Sequence, residues 1–229
     1  MRHSSYSAIT CYPEPPFTLL KRPLLMTTPA EFQQIAPNLF FWQSYDSQVK
    51  ADLSSAAIAT PKGIFLVDPI PLTDPAIDQL RQTGAVAGVI VTNVNHLRVS
   101  AQFSTLFSVP IYARAAFPNN ATPGITEIKD GTAPCDALAV IAIDGAAPGE
   151  IALHSAEHRG VLIIGDALIN FEPHGFTFLP RKYCSNQKEM RRSLRKLLAY
   201  KFERILFAHG TPVLSQGTTR LRELLDAGA

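Results

Sequence analysis

The stretch "VAGVIVTNVNHLRVS", residues 86–100, changes character halfway along. Val86 to Val91 is a short apolar run without polar alternation, the pattern of a strand covered on both faces. Thr92 to Arg98 then gathers a hydroxyl, two amides, an imidazole and a guanidinium. Polar side chains placed where a buried strand stops can converge at a sheet rim without disturbing the core. Three other segments end in the same way: "GIFLVD" at Asp68, "GVLIIGD" at Asp166 and "ERILFAH" at His209. Each has a local alternative. Asp68 before Pro69 also suits a turn that bonds its own backbone, and Asp166 a local hydrogen bond. Together the four ends outline a site.

Around these ends the signals are regular. "NLFFWQS" and "SAAIATP" read as strands, and "KGIFLVDPI" as a third, opened by the turn pair Lys62-Gly63. "TDPAIDQLRQTG" reads as a helix with Thr73 as its cap, Asp74 and Pro75 in its first turn and Gly84 at its end. A second helix is expected from about Leu97 to Phe107, with Phe103, Leu106 and Phe107 on one face. "PIYARAA" is a short strand, and four more follow in "ITEIKDG", "ALAVIAID", "EIALHSA" and "GVLIIGDAL". Met190, Leu194, Leu197 and Leu198 recur at helical spacing between about Ser185 and Lys201, and a last helix takes "TTRLRELLDA". Strands in both halves, with helices that need a sheet face to cover, imply two packed sheets with helices outside.

Composition sets the bounds. A chain of 229 residues, 46% hydrophobic and 17% charged, has ample material for a buried core. A formal net charge of +2 points to neither a nucleic-acid partner nor a membrane surface. Its apolar runs are far shorter than the roughly 20 residues that span a bilayer. Cys11, Cys135 and Cys184 share no metal-ligand spacing and form no even framework, so a reducing, cytoplasmic setting is expected. Residues 1–27 are rich in Pro and Ser, with no periodic apolar pattern, and read as a flexible or dispensable extension to a single domain over 28–229. Their Arg and Ser and scarcity of acids also carry a faint transit-peptide character, and Met26 is a second candidate start.

The strand "FLVDPI", the entry "VIVTN", "APGEIALH", "LIIGDAL" and "LFAHG" occur in an order and spacing that resemble the metallo-β-lactamase superfamily, from about Pro37 to the C-terminus. The resemblance implies an α/β (α+β) four-layer αβ/βα sandwich. It also implies one or two zinc ions that activate water against esters, thioesters, amides or phosphodiesters. Laid on this chain, the superfamily motif T-H-x-H-x-D-H begins at Thr92. Its first two histidines fall on Asn93 and Asn95, its aspartate on Leu97 and its last histidine on Arg98. The histidine before the "TPGS"-like turn falls on Ala146, while Asp166 and His209 keep the remaining two ligand places. Leucine and alanine cannot bind zinc, and an amide oxygen is a poor substitute for imidazole.

Two functions stay open on these residues. In one, the site has lost its metal and keeps a pocket for a small anionic ligand; Arg98 replaces the ion electrostatically by reaching Asp166, and Asn93, Asn95 and His96 complete a polar cluster. In the other, a divergent hydrolase holds one Zn, Mn or Fe ion on Asp166 and His209, with His96 or His174 as the third ligand. His154 and His158 flank a turn and are expected at the surface. Arg181, Lys182 and Tyr183 lie in a loop that can approach the pocket and hold an anion. Lys188, Arg191, Arg192, Arg195 and Lys196 read as a solvated helix face.

Overall fold

The computed structural model describes residues 30–114, 124–171 and 174–227; the expected extension over 1–27 lies outside them. The first sheet has seven strands in chain order: β1 (Gln33–Ala36), β2 (Leu39–Asp46), β3 (Ala51–Thr60), β4 (Gly63–Val67), β5 (Val86–Val91), β6 (Ile111–Arg114) and β7 (Ile125–Ile128). Strands β1 to β4 pair antiparallel and β4 to β7 parallel. Helices α1 (Asp74–Thr83) and α2 (Ser100–Phe107) make the crossovers. The second sheet has the order β13-β10-β9-β8, built from β8 (Ala139–Ala142), β9 (Ile151–Ser155), β10 (Val161–Ile164) and β13 (Arg204–Phe207). A hairpin, β11 (Leu168–Phe171) with β12 (Gly175–Phe178), and helices α3 (Gln187–Leu194) and α4 (Gly217–Ala227) complete it.

Side-chain alternation sorts these strands into three apolar layers. In β4, Ile64 and Leu66 pack with Ala76 and Leu80 of α1 and Phe103 of α2. Their neighbours Phe65 and Val67 join Val140, Ile151, Leu153, Ile163 and Leu206 between the sheets. On the far side, Leu162, Ile164, Ile205 and Phe207 lie under Met190, Leu194, Leu197, Leu221 and Leu225. Helix, sheet, sheet, helix is the four-layer order expected. Leu80, Leu162 and Leu194 are wholly buried, so each Leu→Ala truncation costs about 2–5 kcal/mol.

The parallel pairs β4/β5 and β10/β13 place Asp68, Asn93, Asp166 and His209 just past their strand ends. Backbone bonds join the sheets there: Ile151 N to Thr92 O at 2.8 Å and Ser54 N to Ala208 O at 2.9 Å. Local differences from expectation have clear causes. A 3₁₀ turn takes Val94–His96, so α2 starts at Ser100 rather than Leu97. Phe103 is buried, but Leu106 is 45% exposed on the short helix. The α3 segment tightens into a 3₁₀ turn over Arg195–Ala199. Thr73 caps α1 as expected, accepting from Ala76 N.

Candidate functional site

The site starts from Asp68, whose backbone turns into the left-handed region (φ 48°) directly after β4. Aspartate tolerates that conformation better than most residues. Its carboxylate, in a residue 2% exposed, accepts from Thr92 N at 2.8 Å and from Thr92 Oγ1 at 2.5 Å. His96 Nδ1 lies 2.9 Å from Asp68 Oδ2. An ionised carboxylate can only accept, so this contact puts the proton on Nδ1 and turns Nε2 the other way. The 3₁₀ turn is what brings His96 inward. Asn93 caps it by accepting from Asn95 N at 2.9 Å, and the turn leaves His96 buried while Asn95 is exposed.

Beyond His96 stands Asp166, at the end of β10. His96 Nε2 is 3.1 Å from Asp166 Oδ1, and His209 Nε2 is 3.3 Å from the same oxygen. His209 has its other nitrogen occupied too, with Nδ1 3.1 Å from Asp52 O. The two rings sit at an angle with centroids 5.5 Å apart. His96 Nε2 is buried with no hydrogen-bond partner assigned, although Asp166 Oδ1 faces it at 3.1 Å. One atom each from His96, Asp166 and His209 fall within 4.8 Å of one another. On the far side of Asp166, Asn93 Nδ2 donates to Asp166 Oδ2 at 3.1 Å and to Glu150 Oε2 at 2.7 Å.

Burial and neighbouring charge compete at each group. Burial pushes the His96 imidazolium down, but Asp166 and Asp68 together outweigh it and raise its pKa to about 9. Burial would lift Asp166; the charge of His96 and the hydrogen bond from His209 reverse this and hold it well below the usual carboxylate range. Glu150 goes the other way, up to about 8, because burial and the Asp166 charge both oppose its ionisation. Of the two carboxyls sharing the Asn93 amide, Asp166 is the one whose ionisation is favoured.

Arg98 does not reach Asp166. Its Nη1 donates to Ser54 O at 2.7 Å and Asp68 O at 2.9 Å, and its Nη2 to Ala208 O at 3.2 Å. Among the described residues it forms no ion pair. The guanidinium fork satisfies three backbone carbonyls, and the basic side chain between Asp68 and Asp166 is His96 instead. His174 is exposed against Phe171, outside the cluster. His154 corrects the surface expectation: it is 8% exposed, bonded to Lys201 O and packed on Tyr200, because all of β9 is covered. Arg181, Lys182 and Tyr183 are exposed, with Lys182 Nζ over the Tyr183 ring. On α3 and its extension, Arg192, Arg195 and Lys196 pair with Glu189, Asp226 and Asp144.

Residues 33–227 match the family model of the metallo-beta-lactamase superfamily. The chain belongs to this superfamily. Solved structures agree at the level of fold. A metallo-beta-lactamase from Pontibacter korlensis has a TM-score of 0.66 at 15% identity, over 86% of this chain and 99% of that one. A metallo-beta-lactamase family protein from Thermus thermophilus has a TM-score of 0.62 at 18% identity, over 85% and 80%. A beta-lactamase domain protein from Burkholderia ambifaria has 0.60 at 18%, over 90% and 80%. No curated protein matches the sequence.

The residues fit a superfamily metal unevenly. The place expected to hold a first ion has an amide donor at Asn93, an exposed amide at Asn95 and a buried methyl at Ala146, and does not suit a cation. The second place keeps Asp166 and His209 and gains His96, whose orphaned, buried Nε2 suits a metal. Sequence reasoning missed Glu150 as a site residue. Its available signal was an acid between a Pro-Gly turn and the apolar β9, where ionisation is costly.

Proposed function

We propose that this chain is a hydrolase-type protein holding one divalent metal ion on His96 Nε2, Asp166 and His209 Nε2, and acting on a small molecule. One observation carries the reading: both histidines spend Nδ1 on an oxygen acceptor, Asp68 Oδ2 or Asp52 O, and both aim Nε2 at Asp166 Oδ1. Two neutral imidazoles so placed direct lone pairs at a carboxylate oxygen. One divalent cation would satisfy all three groups together. A carboxylate or carbonyl fixing the far nitrogen is the usual support of a metal-binding histidine.

A bound ion supplies Lewis acidity to a substrate carbonyl or phosphoryl oxygen. The chain's own part is to hold the ligands. Asp68 sets the tautomer and angle of His96, the Asp52 carbonyl does so for His209, and Asp166 supplies the anionic charge. Three protein ligands leave coordination places open, and His209, the most exposed of them, lies on the outward side. Two imidazoles and a carboxylate suit zinc and also iron or manganese. Metal content after loading with each tests this: about one ion per chain, lost in Asp166→Ala and His96→Ala, is expected. No ion under any condition sinks the proposal.

A second reading, a metal-free pocket for a small ligand, has its own observation. His96 with a pKa of about 9 stays an imidazolium between Asp68 and Asp166, so that part of the cluster is charge-compensated without an ion. Chelators would then leave stability unchanged, and a ligand would raise it. Its anionic-ligand version is weakened by Arg98, whose guanidinium is spent on carbonyls.

A further inference from the structure

We propose that Glu150 is a positioning residue that acts through Asn93 to hold Asp166 with one oxygen facing the two histidines. Glu150 is wholly buried, so it does not touch a substrate. Its Oε1 accepts from Ala167 N at 3.0 Å, a backbone donor next to Asp166 itself. Its Oε2 accepts from Asn93 Nδ2 at 2.7 Å, and the same amide nitrogen donates to Asp166 Oδ2 at 3.1 Å. Asn93 Oδ1 accepts from Asn95 N, so the amide has both N–H groups and its carbonyl in use, and a flip would aim the oxygen at two carboxyls.

The consequence lies at Asp166. With Oδ2 held by Asn93, Oδ1 alone is presented to His96 Nε2 and His209 Nε2. Asn93, backed by Glu150, thereby occupies Asp166 Oδ2 and would leave Oδ1 as the oxygen available to help hold an ion. Gly165 belongs to the same arrangement. A Cβ there would lie 2.6 Å from Thr92 Oγ1, 2.8 Å from Glu150 Oε1 and 3.0 Å from Asn93 Nδ2. Only a glycine leaves the three polar groups room.

The proposal rests on the single-ion reading for its effect on metal, but the hydrogen-bond chain is testable without one. In the metal-free, full-length protein, the Asn93 side-chain amide should give shifted, slowly exchanging ¹H–¹⁵N resonances. Glu150→Gln should move them, because a glutamine has one oxygen for two donors. Cobalt(II) then probes the metal. Glu150→Gln should weaken its binding about 10–100-fold, the range typical of residues that support metal ligands, and shift its visible absorption bands. In an Asn93→Leu background the added effect of Glu150→Gln on cobalt should largely vanish, whereas a merely structural role would leave the two effects additive. Freely exchanging Asn93 amide protons in the wild type overturn the proposal, which needs no variant to fold. So do additive losses, or a folded Glu150→Gln protein with wild-type resonances and cobalt affinity. A wild type that binds no cobalt removes the single-ion reading alone, and the amide resonances still decide the role of Glu150.

Discussion

Replacing Asp68 by alanine is the sharpest stability test of the cluster. The carboxylate satisfies three donors, Thr92 N, Thr92 Oγ1 and His96 Nδ1. Each buried donor left without a partner costs about 1–3 kcal/mol. The Thr92 hydroxyl can rotate and recover part of its share, so the loss should be about 3–6 kcal/mol. Asp68→Asn keeps one acceptor but turns an amide donor toward Thr92 and His96, and should lose about 2–3 kcal/mol. For a domain of this size each kcal/mol moves Tm by about 2–4 °C, so the alanine variant should melt about 6–24 °C below the wild type. Urea unfolding followed by circular dichroism should show a lower midpoint with an unchanged slope. Cobalt affinity of the folded Asp68→Asn protein should fall about 10–100-fold, because His96 loses its orienting partner. An alanine variant within about 1 kcal/mol of the wild type, inside the range of ordinary surface changes, would refute the account of Asp68.

Further predictions test the other contacts. The metal-free protein should lose stability as pH rises. His96 and Glu150 hold protons in the folded state, at about 9 and about 8, that the unfolded chain releases near 6.5 and 4.5. The His96 contribution is fully present below pH 6.5, is worth on the order of 3 kcal/mol, and is lost as pH passes about 9; thermal melts from pH 6 to 10 on wild type and His96→Gln check it. Asp166 has the opposite sign, so acidification below the usual carboxylate range should also destabilise the fold. Arg98→Ala should cost about 2–4 kcal/mol through the loss of three charge-assisted hydrogen bonds, partly offset because Asp68 O and Ala208 O keep other donors, yet leave metal stoichiometry unchanged in the folded protein. Arg98→Gly should lose less, because its φ of 39° is strained for any residue with a Cβ. Gly210→Ala should fail or melt early, since its Cβ would clash with the Asn170 carbonyl.

Much of the fold is written in local pattern. The apolar runs of β4, β5, β10 and β13 are short, unbroken and closed by a polar residue, which marks both buried strands and the rim where they stop. Thr73, Pro75 and Gly84 announce α1 with ordinary capping chemistry. The site was legible as a set of strand ends but not in its contacts. Arg98 looked like the substitute cation because it stands at a ligand place in the motif. The 3₁₀ turn and the positive φ at Arg98 instead direct it to carbonyls and bring in His96 from a spacer position.

The sequence by itself determined two packed sheets with helices outside and the rim that carries Asp68, Asn93, Asp166 and His209, while the resemblance to the superfamily motif placed Asn93, Asn95 and Ala146 at the first-ion ligand positions. The sheets and the rim follow from side-chain chemistry and periodicity, which are local. Only the tertiary structure decided that His96 joins Asp166 and His209 in one cluster, that Arg98 is spent on carbonyls, and that Glu150 shares an amide with Asp166. Each depends on which buried groups from separate strands come within hydrogen-bond distance. Desolvation makes every unpaired polar atom there costly, so the two sheets in contact, and not the motif spacing, select the partners.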